Sequence, residues 1–338
     1  MIGYYVHHQG SGHLHRALCI AAHCATPVTG LSSLAAPPGW RGDWVELPRD
    51  DDGRPASMRD VTARGRLHWA PLHHAGLRRR TAAIADWIRA AGPRLFVSDV
   101  SVEVAVLARL LGTPVVTVAM RGRRDDGPHQ MAYDLSEMLI APWPRSLPEP
   151  GWPARWRDKA IHTGAFSRFD GRPRHREARG ALSVRRVLLM MGSGGADLPV
   201  DAVRAARAAT PGWQWTTLGG PDGRWASDPW PALCTADVVV THAGQNAIAE
   251  CAAAGRPVVA IPQERPYGEQ LATARALRRA DLAVVADRWP TPRDWPGLLA
   301  SALALGGAGW HRWAPGDGAS RAASALHEAA SDQRHWAS

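Results

Sequence analysis

Hydrophobic positions in this chain fall into short unbroken runs, each followed by a longer stretch in which they recur at helical spacing. Residues 2–6 form the first run, and a glycine-bearing turn and a helical stretch at 13–24 follow it. Residues 95–100 repeat the pattern with a helix at 102–111, after which Gly112 and Pro114 punctuate the approach to a strand at 115–120. Prolines crowd between 142 and 153 together with Trp143 and Trp152, and beyond them the cadence restarts. The second half offers strands at 186–191, 213–218, 238–242, 258–261 and 283–285, with helical stretches between. Apolar runs that alternate with helices predict parallel sheets covered on both faces. The expected fold class is α/β, with two Rossmann-like domains over 1–165 and 166–338, a boundary within 163–172, and a last helix near 320–330 that packs back across the first domain. Ligands of such sheets bind at the C-terminal strand edges, so the two domains are expected to face a central cleft.

Composition narrows the function. With 338 residues and 45% hydrophobic content, each half has enough apolar material for its own core. The formal net charge of +9 comes almost wholly from arginine, since Lys159 is the only lysine. That excess attracts phosphates, nucleic acid or an anionic membrane, and it fits an arginine-biased coding sequence equally well. No aromatic-interleaved basic stripe or zinc-finger spacing accompanies it, so nucleic acid is not an expected partner. Cys19, Cys24, Cys234 and Cys251 include no C-x-x-C pair and read neither as a disulfide framework nor as a zinc site. Met1 leads directly into a strand, leaving no room for a signal peptide, and no run of about eighteen apolar residues occurs. The expected location is the cytoplasm.

The densest polar pattern is Thr241-His242-Ala243-Gly244-Gln245-Asn246-Ala247-Ile248-Ala249-Glu250, followed by Gly255-Arg256-Pro257 and by Glu269-Gln270. A strand ends at Thr241 and His242, and a helix begins near Gly244, whose free N–H groups and partial positive charge suit a diphosphate. His242 and Asn246 add side-chain donors at that turn. Glu250 lies one helical turn beyond Asn246, where a carboxylate can accept two ribose hydroxyls. Met191-Gly192-Ser193-Gly194-Gly195 closes an earlier strand and lets backbone approach a ligand closely. Taken singly, His242 also fits a core histidine and Glu250 a solvated helix residue.

The first strand runs into His7-His8-Gln9-Gly10-Ser11-Gly12-His13-Leu14-His15-Arg16. Gly10, Ser11 and Gly12 form the loop, and His13 starts the helix at the cleft edge, where an imidazole suits a general base. Val97-Ser98-Asp99 ends another strand on the same edge, from which Asp99 can orient His13. Alternation along a strand sends His7 and His8 to opposite faces and no carboxylate lies among these histidines in sequence, so no metal site is expected.

These segments resemble nucleotide-sugar glycosyltransferases. The pattern H-x-G-x-N-x-x-x-E, then G-x-P, then an acidic residue and Gln, is similar to the donor motif of natural-product and plant transferases and of the MurG group. The resemblance implies a GT-B fold, with 1–165 binding the acceptor and 166–338 the donor. It places Gly192, Ser193, Gly194, His242, Gly244, Gln245 and Asn246 at the diphosphate, Glu250 at the ribose, and Glu269 and Gln270 at the sugar. It implies His13 as general base with Asp99 as its partner, inversion at the transferred sugar, a UDP-sugar by default, and a small-molecule or lipid-linked acceptor. No cofactor is implied, since the nucleotide sugar is a substrate. Gln245 stands where the plant pattern has tryptophan, and the upstream W-x-P-Q element is missing, although Trp225 and Trp230 lie nearby. The Gly-Ser-Gly-His-Leu-His-Arg turn also resembles the nucleotide-sugar hydrolase of pseudaminic acid synthesis, and a non-catalytic nucleotide-sugar-binding subunit stays open. Leu77, Ile84, Trp87 and Ile88 line one face of a helix bearing Arg78, Arg79 and Arg80; it reads as core packing beside a solvated basic patch, or as a peripheral contact with the inner membrane face. Residues 37–71 show no legible pattern and are expected to shape the acceptor pocket.

Overall fold

The computed structural model describes residues 1–52, 59–174, 184–192, 201–219, 223 and 225–331. The chain divides into two compact units, one of Met1–Pro142, Pro150–Thr163 and Gly318–Ser338, the other of Trp143–Glu149 and Gly164–Asp317.

The first unit contains β1 (Ile2–Tyr5), α1 (Gly12–His23), β2 (Val28–Ser32), β3 (Trp44–Glu46), α2 (Ala75–Ala91), β4 (Leu95–Asp99), α3 (Val102–Leu110), β5 (Val115–Val118), α4 (Gly127–Leu135), β6 (Met138–Ala141), α5 (Ala154–Asp158) and β7 (Ala160–His162). The strands form a parallel sheet in the order β3-β2-β1-β4-β5-β6-β7. β1 lies between β2 and β4, with Ile2 opposite both Val28 and Leu95. All four of its residues are buried, as a strand covered on both faces requires. Gly3 owes its identity to packing, because a Cβ there would come within 2.7 Å of the Trp87 ring from α2.

That contact settles the orientation of α2. Ile84 and Ile88 are buried, and Trp87 stands edge-on to Phe96 of β4 at 6.2 Å, so the apolar stripe faces the sheet. Arg78 and Arg79 are exposed, but Arg80 does not belong to the solvated patch expected of it. It is 2% exposed and donates to Tyr5 Oη at 2.6 Å, to the Pro48 carbonyl at 2.8 Å and to Ser33 Oγ. An arginine can be buried when partners of this kind replace its water.

Within 37–71 lies the short edge strand β3, and the described residues around it are pinned by tryptophan N–H groups. Trp40 Nε1 donates to the Val28 carbonyl at 3.1 Å, Trp44 Nε1 to that of Leu34 at 2.8 Å, and Trp69 Nε1 to that of Asp50 at 2.9 Å. The Trp44 ring also fills the space over Gly30 of β2, where a Cβ would sit 2.2 Å from it.

The second unit contains β8 (Arg185–Met190), α6 (Ala202–Ala209), β9 (Trp213–Leu218), α7 (Trp230–Thr235), β10 (Val238–Thr241), α8 (Gln245–Ala254), β11 (Val258–Ala260), α9 (Glu269–Arg279), β12 (Val284–Val285) and α10 (Trp295–Leu305). Its parallel sheet has the order β12-β11-β10-β8-β9. Val187, Leu189, Val238, Val240 and Val259 project from one face into a core closed by Trp215, Trp295 and Leu299. α11 (Gly318–Ser331) follows this unit in the chain but packs on α1 of the first, burying Ala322, Ala323, Ala325 and Leu326. No helix among the described residues is long and apolar enough to cross a membrane.

Candidate active site

In the first unit, adjacent strands β1 and β4 bring the loop after β1 beside Asp99. Gly10 turns the chain with φ +78°, and Gly12 is already the first residue of α1, which places His13 in the opening turn of that helix. His13 Nδ1 lies 2.9 Å from Asp99 Oδ1. Asp99 is wholly buried and ends β4; the next residue, Val100, adopts φ +64°, a left-handed conformation costly for a β-branched side chain. The strand predicted to run to Val100 therefore stops one residue earlier, at the turn that presents the carboxylate.

Asp99 has two further partners. Tyr4 Oη donates to Oδ2 at 3.2 Å, and Arg16 forks onto the carboxylate, Nε reaching Oδ2 at 3.0 Å and Nη2 reaching Oδ1. Burial alone would favour the neutral acid; Arg16 and then His13 overcome it and hold the carboxyl well below the usual range. Burial and the Asp99 charge push the Tyr4 phenol well above its ordinary value, so it remains a donor. Arg16 belongs to the same sequence motif, and its i+3 spacing from His13 is the signal that it shares a face with that histidine.

The other histidines are arranged differently from expectation. β1 ends at Tyr5, so strand alternation does not govern His7 and His8, and their rings stack with centroids 5.1 Å apart. His7 also lies 5.4 Å from the His13 ring. Burial, reinforced by the neighbouring His13, lowers His7 to about 3, so it is neutral. Carboxylates remote in sequence do reach this region: His8 Nε2 is 3.3 Å from Asp51 Oδ2 and 3.6 Å from Asp50 Oδ1. A second group joins His68, Asp126 and His129, with His68 Nε2 3.0 Å from Asp126 Oδ1. In both groups an arginine faces the remaining ring nitrogen, Arg80 Nη2 at 3.5 Å from His8 Nδ1 and Arg124 Nη1 at 3.1 Å from His129 Nε2. Guanidinium only donates, so His129 Nε2 accepts from Arg124 and its Nδ1–H donates to Asp126, an Arg-His-Asp chain, whereas His8 Nε2 lies near its two carboxylates at ion-pair distance only.

In the second unit, β10 ends at Thr241 and α8 starts at Gln245 with Gly244 as N-cap and no side chain capping it. Gly244 has no side chain and so supplies no capping oxygen of its own at this helix N-terminus, the end of a helix at which anions bind. Gly244 N donates to His242 Nδ1 at 2.9 Å, which puts the ring proton on Nε2. Burial, helped by Arg265, lowers His242 to about 4, so it is a neutral donor. Gly192, at the end of the strand run from β8, lies against that same nitrogen: a Cβ on Gly192 would be 2.8 Å from Nε2. Gly192, His242 and Gly244 are thus one contact group, with Gln245 and Asn246 in the first turn of α8. Ser193 and Gly194 lie outside the described residues.

Glu250 is buried on α8 and already has a partner, Arg168 Nε at 2.9 Å from Oε1. Burial raises its carboxyl and Arg168 opposes the rise. No sequence pattern flagged Arg168, because its approach to Glu250 spans 82 positions. Glu269 opens α9, and Gln270 beside it is buried with Oε1 accepting from the Gln263 backbone N–H at 2.9 Å. Gln270 therefore also supports the loop before α9, a role not anticipated. That loop, with Met191, Thr241, Asp287 and Trp289, lines a cavity of about 260 Å³ at the C-terminal sheet edge. Of the two nearby tryptophans, Trp230 is buried against Phe169 at 5.0 Å, whereas Trp225 is 67% exposed.

Residues 230–290 match the model of the Glycosyltransferase family 28 C-terminal domain. The fold is shared with solved glycosyltransferases over nearly the whole chain. The kitacinnamycin glycotransferase has a TM-score of 0.68 at 19% identity, covering 97% of this chain and 98% of that one. MurG of Acinetobacter baumannii has a TM-score of 0.62 at 15% identity, covering 97% and 99%. The spinosyn rhamnosyltransferase SpnG, solved with thymidine diphosphate, has a TM-score of 0.58 at 17% identity, covering 98% and 96%. These likenesses establish the GT-B fold. Among curated proteins none matches the sequence.

Proposed function

Starting from a GT-B fold whose residues 230–290 match the family 28 C-terminal domain, we propose that this chain is an inverting glycosyltransferase that moves a sugar from a nucleoside diphosphate to a hydroxyl acceptor. The observation that carries this is the His13–Asp99 pair, a 2.9 Å contact between a partly exposed imidazole and a buried carboxylate. The carboxylate, which can only accept, favours the proton on Nδ1 and leaves the Nε2 lone pair for the acceptor hydroxyl. In the proposed step Nε2 takes the hydroxyl proton as the oxygen bonds to the anomeric carbon. The bond from that carbon to the diphosphate oxygen breaks with its electron pair, so the configuration inverts.

On the donor side, the α8 N-terminus and the His242 Nε2–H receive the diphosphate, together with Gly192, Ser193 and Gly194. Glu250, steadied by Arg168, accepts from the ribose, and Glu269 and Gln270 serve the sugar. UDP is our default nucleotide; the thymidine diphosphate held by SpnG supports screening dTDP-sugars beside UDP-sugars. The acceptor is a small or lipid-linked alcohol, the setting cytoplasmic, and neutral and helix-terminal donors hold the diphosphate without a metal.

The test is direct. A thermal-shift panel of nucleotide sugars identifies the donor, since bound ligand raises apparent stability by mass action. His13→Ala is then expected to cut turnover by about 10²–10⁴ with donor affinity nearly unchanged, and Asp99→Asn to cost less. An α-linked donor should give a β-linked product by NMR, and EDTA should leave the rate intact. Retention of configuration, or full activity in His13→Ala, overturns the mechanism. Rapid donor hydrolysis without acceptor, abolished by the same variant, identifies a hydrolase instead.

A further inference from the structure

The charges packed beside His13 say more than the dyad alone. Arg16 stands on the same helix and is 4% exposed. Its Nε and Nη2 donate to both oxygens of Asp99 and Nη1 reaches Met120 Sδ at 3.5 Å; Nη2 lies 2.9 Å from His13 Nδ1 because both nitrogens converge on Asp99 Oδ1, which accepts from each. A carboxylate in a buried site, left to itself 2.9 Å from an imidazole, strongly favours a proton on that ring. Such a resting proton occupies the lone pair that a base needs. A guanidinium on the same two oxygens cancels most of that field while leaving the acceptor geometry in place.

We propose that Arg16 is a positioning residue of the dyad: its fork fixes the plane of the Asp99 carboxylate and offsets its charge, so that the carboxylate orients His13 without drawing a resting proton onto the ring. This rests on the assignment of His13 as base. Two other groups beside the dyad carry no charge. His7, from the loop after β1, is neutral, and Tyr4 of β1 stays protonated. α11, packed against α1, buries alanines and Leu326 there, while its Arg321, His327 and Glu328 are exposed. Arg16 is therefore the balancing cation for Asp99.

The experiment compares pH–rate profiles and donor KM for Arg16→Met, Arg16→Lys, the double variant Arg16→Met/Asp99→Asn, and Arg16→Met in a His13→Ala background. Arg16→Met is expected to lose about tenfold or more in kcat at pH 7 and to recover most of it by about pH 9, once the ring gives up its proton, with donor KM unchanged. Arg16→Lys keeps the charge and should retain a near-native profile at a modest loss, since it lacks the bidentate fork. The double variant removes both buried charges, so it should exceed Arg16→Met at pH 7 and show no alkaline shift. If Arg16→Met fails to fold because Asp99 is left unpaired, Arg16→Lys and the double variant still decide the matter. A loss in Arg16→Met that is equal at every pH overturns the proposal. So does an alkaline shift that persists in the double variant, or a further loss on top of His13→Ala. Full activity in His13→Ala itself would remove the base assignment first, which separates the two failures.

Discussion

Two glycines decide where the His242 ring sits. A Cβ on Gly192 would lie 2.8 Å from Nε2, and one on Gly244 would lie 2.4 Å from Cε1. The ring is held between them, with Nδ1 fixed by the Gly244 N–H, so its Nε2–H has a single direction. Gly244→Ala must therefore displace the imidazole while its backbone, at φ −71°, accepts alanine without strain. We expect donor affinity to fall about tenfold or more, since hydrogen bonds to charged groups are each worth about 1.5–3 kcal/mol, with little change in melting temperature. Titration calorimetry with the nucleoside diphosphate measures this, and unchanged affinity would separate His242 from the phosphate.

Within α8, binding and stability pull in opposite directions. Its first turn presents N–H groups, and one turn later Glu250 is buried with Arg168 Nε 2.9 Å from its carboxylate. The carboxyl of Glu250 is raised above its ordinary value by burial, so the folded protein holds its proton more tightly than the unfolded chain. Ionising it therefore costs stability, a cost absent below about pH 4 and complete once the pH has risen through the folded value. Glu250→Gln is expected to leave the melting temperature at pH 7 equal or higher, with the difference vanishing under acid. Donor KM should rise about tenfold, because a neutral amide accepts ribose hydroxyls less strongly. Functional sites are where such conflict is expected. A variant that melts lower at pH 7 and binds donor normally would make Glu250 a structural residue only.

For the whole molecule, buried histidines contribute to the loss of stability in acid. His7 and His129 in the first unit and His242 in the second are lowered to about 3, 4 and 4, in each case chiefly by burial. Well above pH 6.5, the unperturbed value, these rings are neutral in folded and unfolded chains alike and add no pH dependence. As the pH falls, the unfolded chain binds protons that the folded one refuses, so stability drops between about 6.5 and 4, by at most about 1.4 kcal/mol per pH unit for each histidine. Melting temperatures taken across that range should decline, and His129→Asn should flatten the decline. A flat profile between pH 6.5 and 4 would mean these sites open to water more readily than the fold implies.

Periodicity alone fixed the alternating α/β plan, because strands buried on both faces must be continuously apolar and their covering helices must be amphipathic. It located β1, β4, β5 and the five strands of the second sheet to within a residue or two. β2, β3, β6 and β7 escaped: β2 carries Gly30, and β3 is three residues whose place depends on Trp44 filling the space above that glycine. The histidine and glycine spacing of the donor turn was legible because a strand end and a helix start are local events. Partners were not. Arg16 and His13 meet Asp99 across more than eighty positions, Arg168 reaches Glu250 over a similar distance, and Asp50 and Asp51 come to His8 from another loop. Sequence spacing determines which side chains share a strand edge or helix face. Only the tertiary structure decides which charge is buried against which, since burial removes the water that would otherwise leave each group independent.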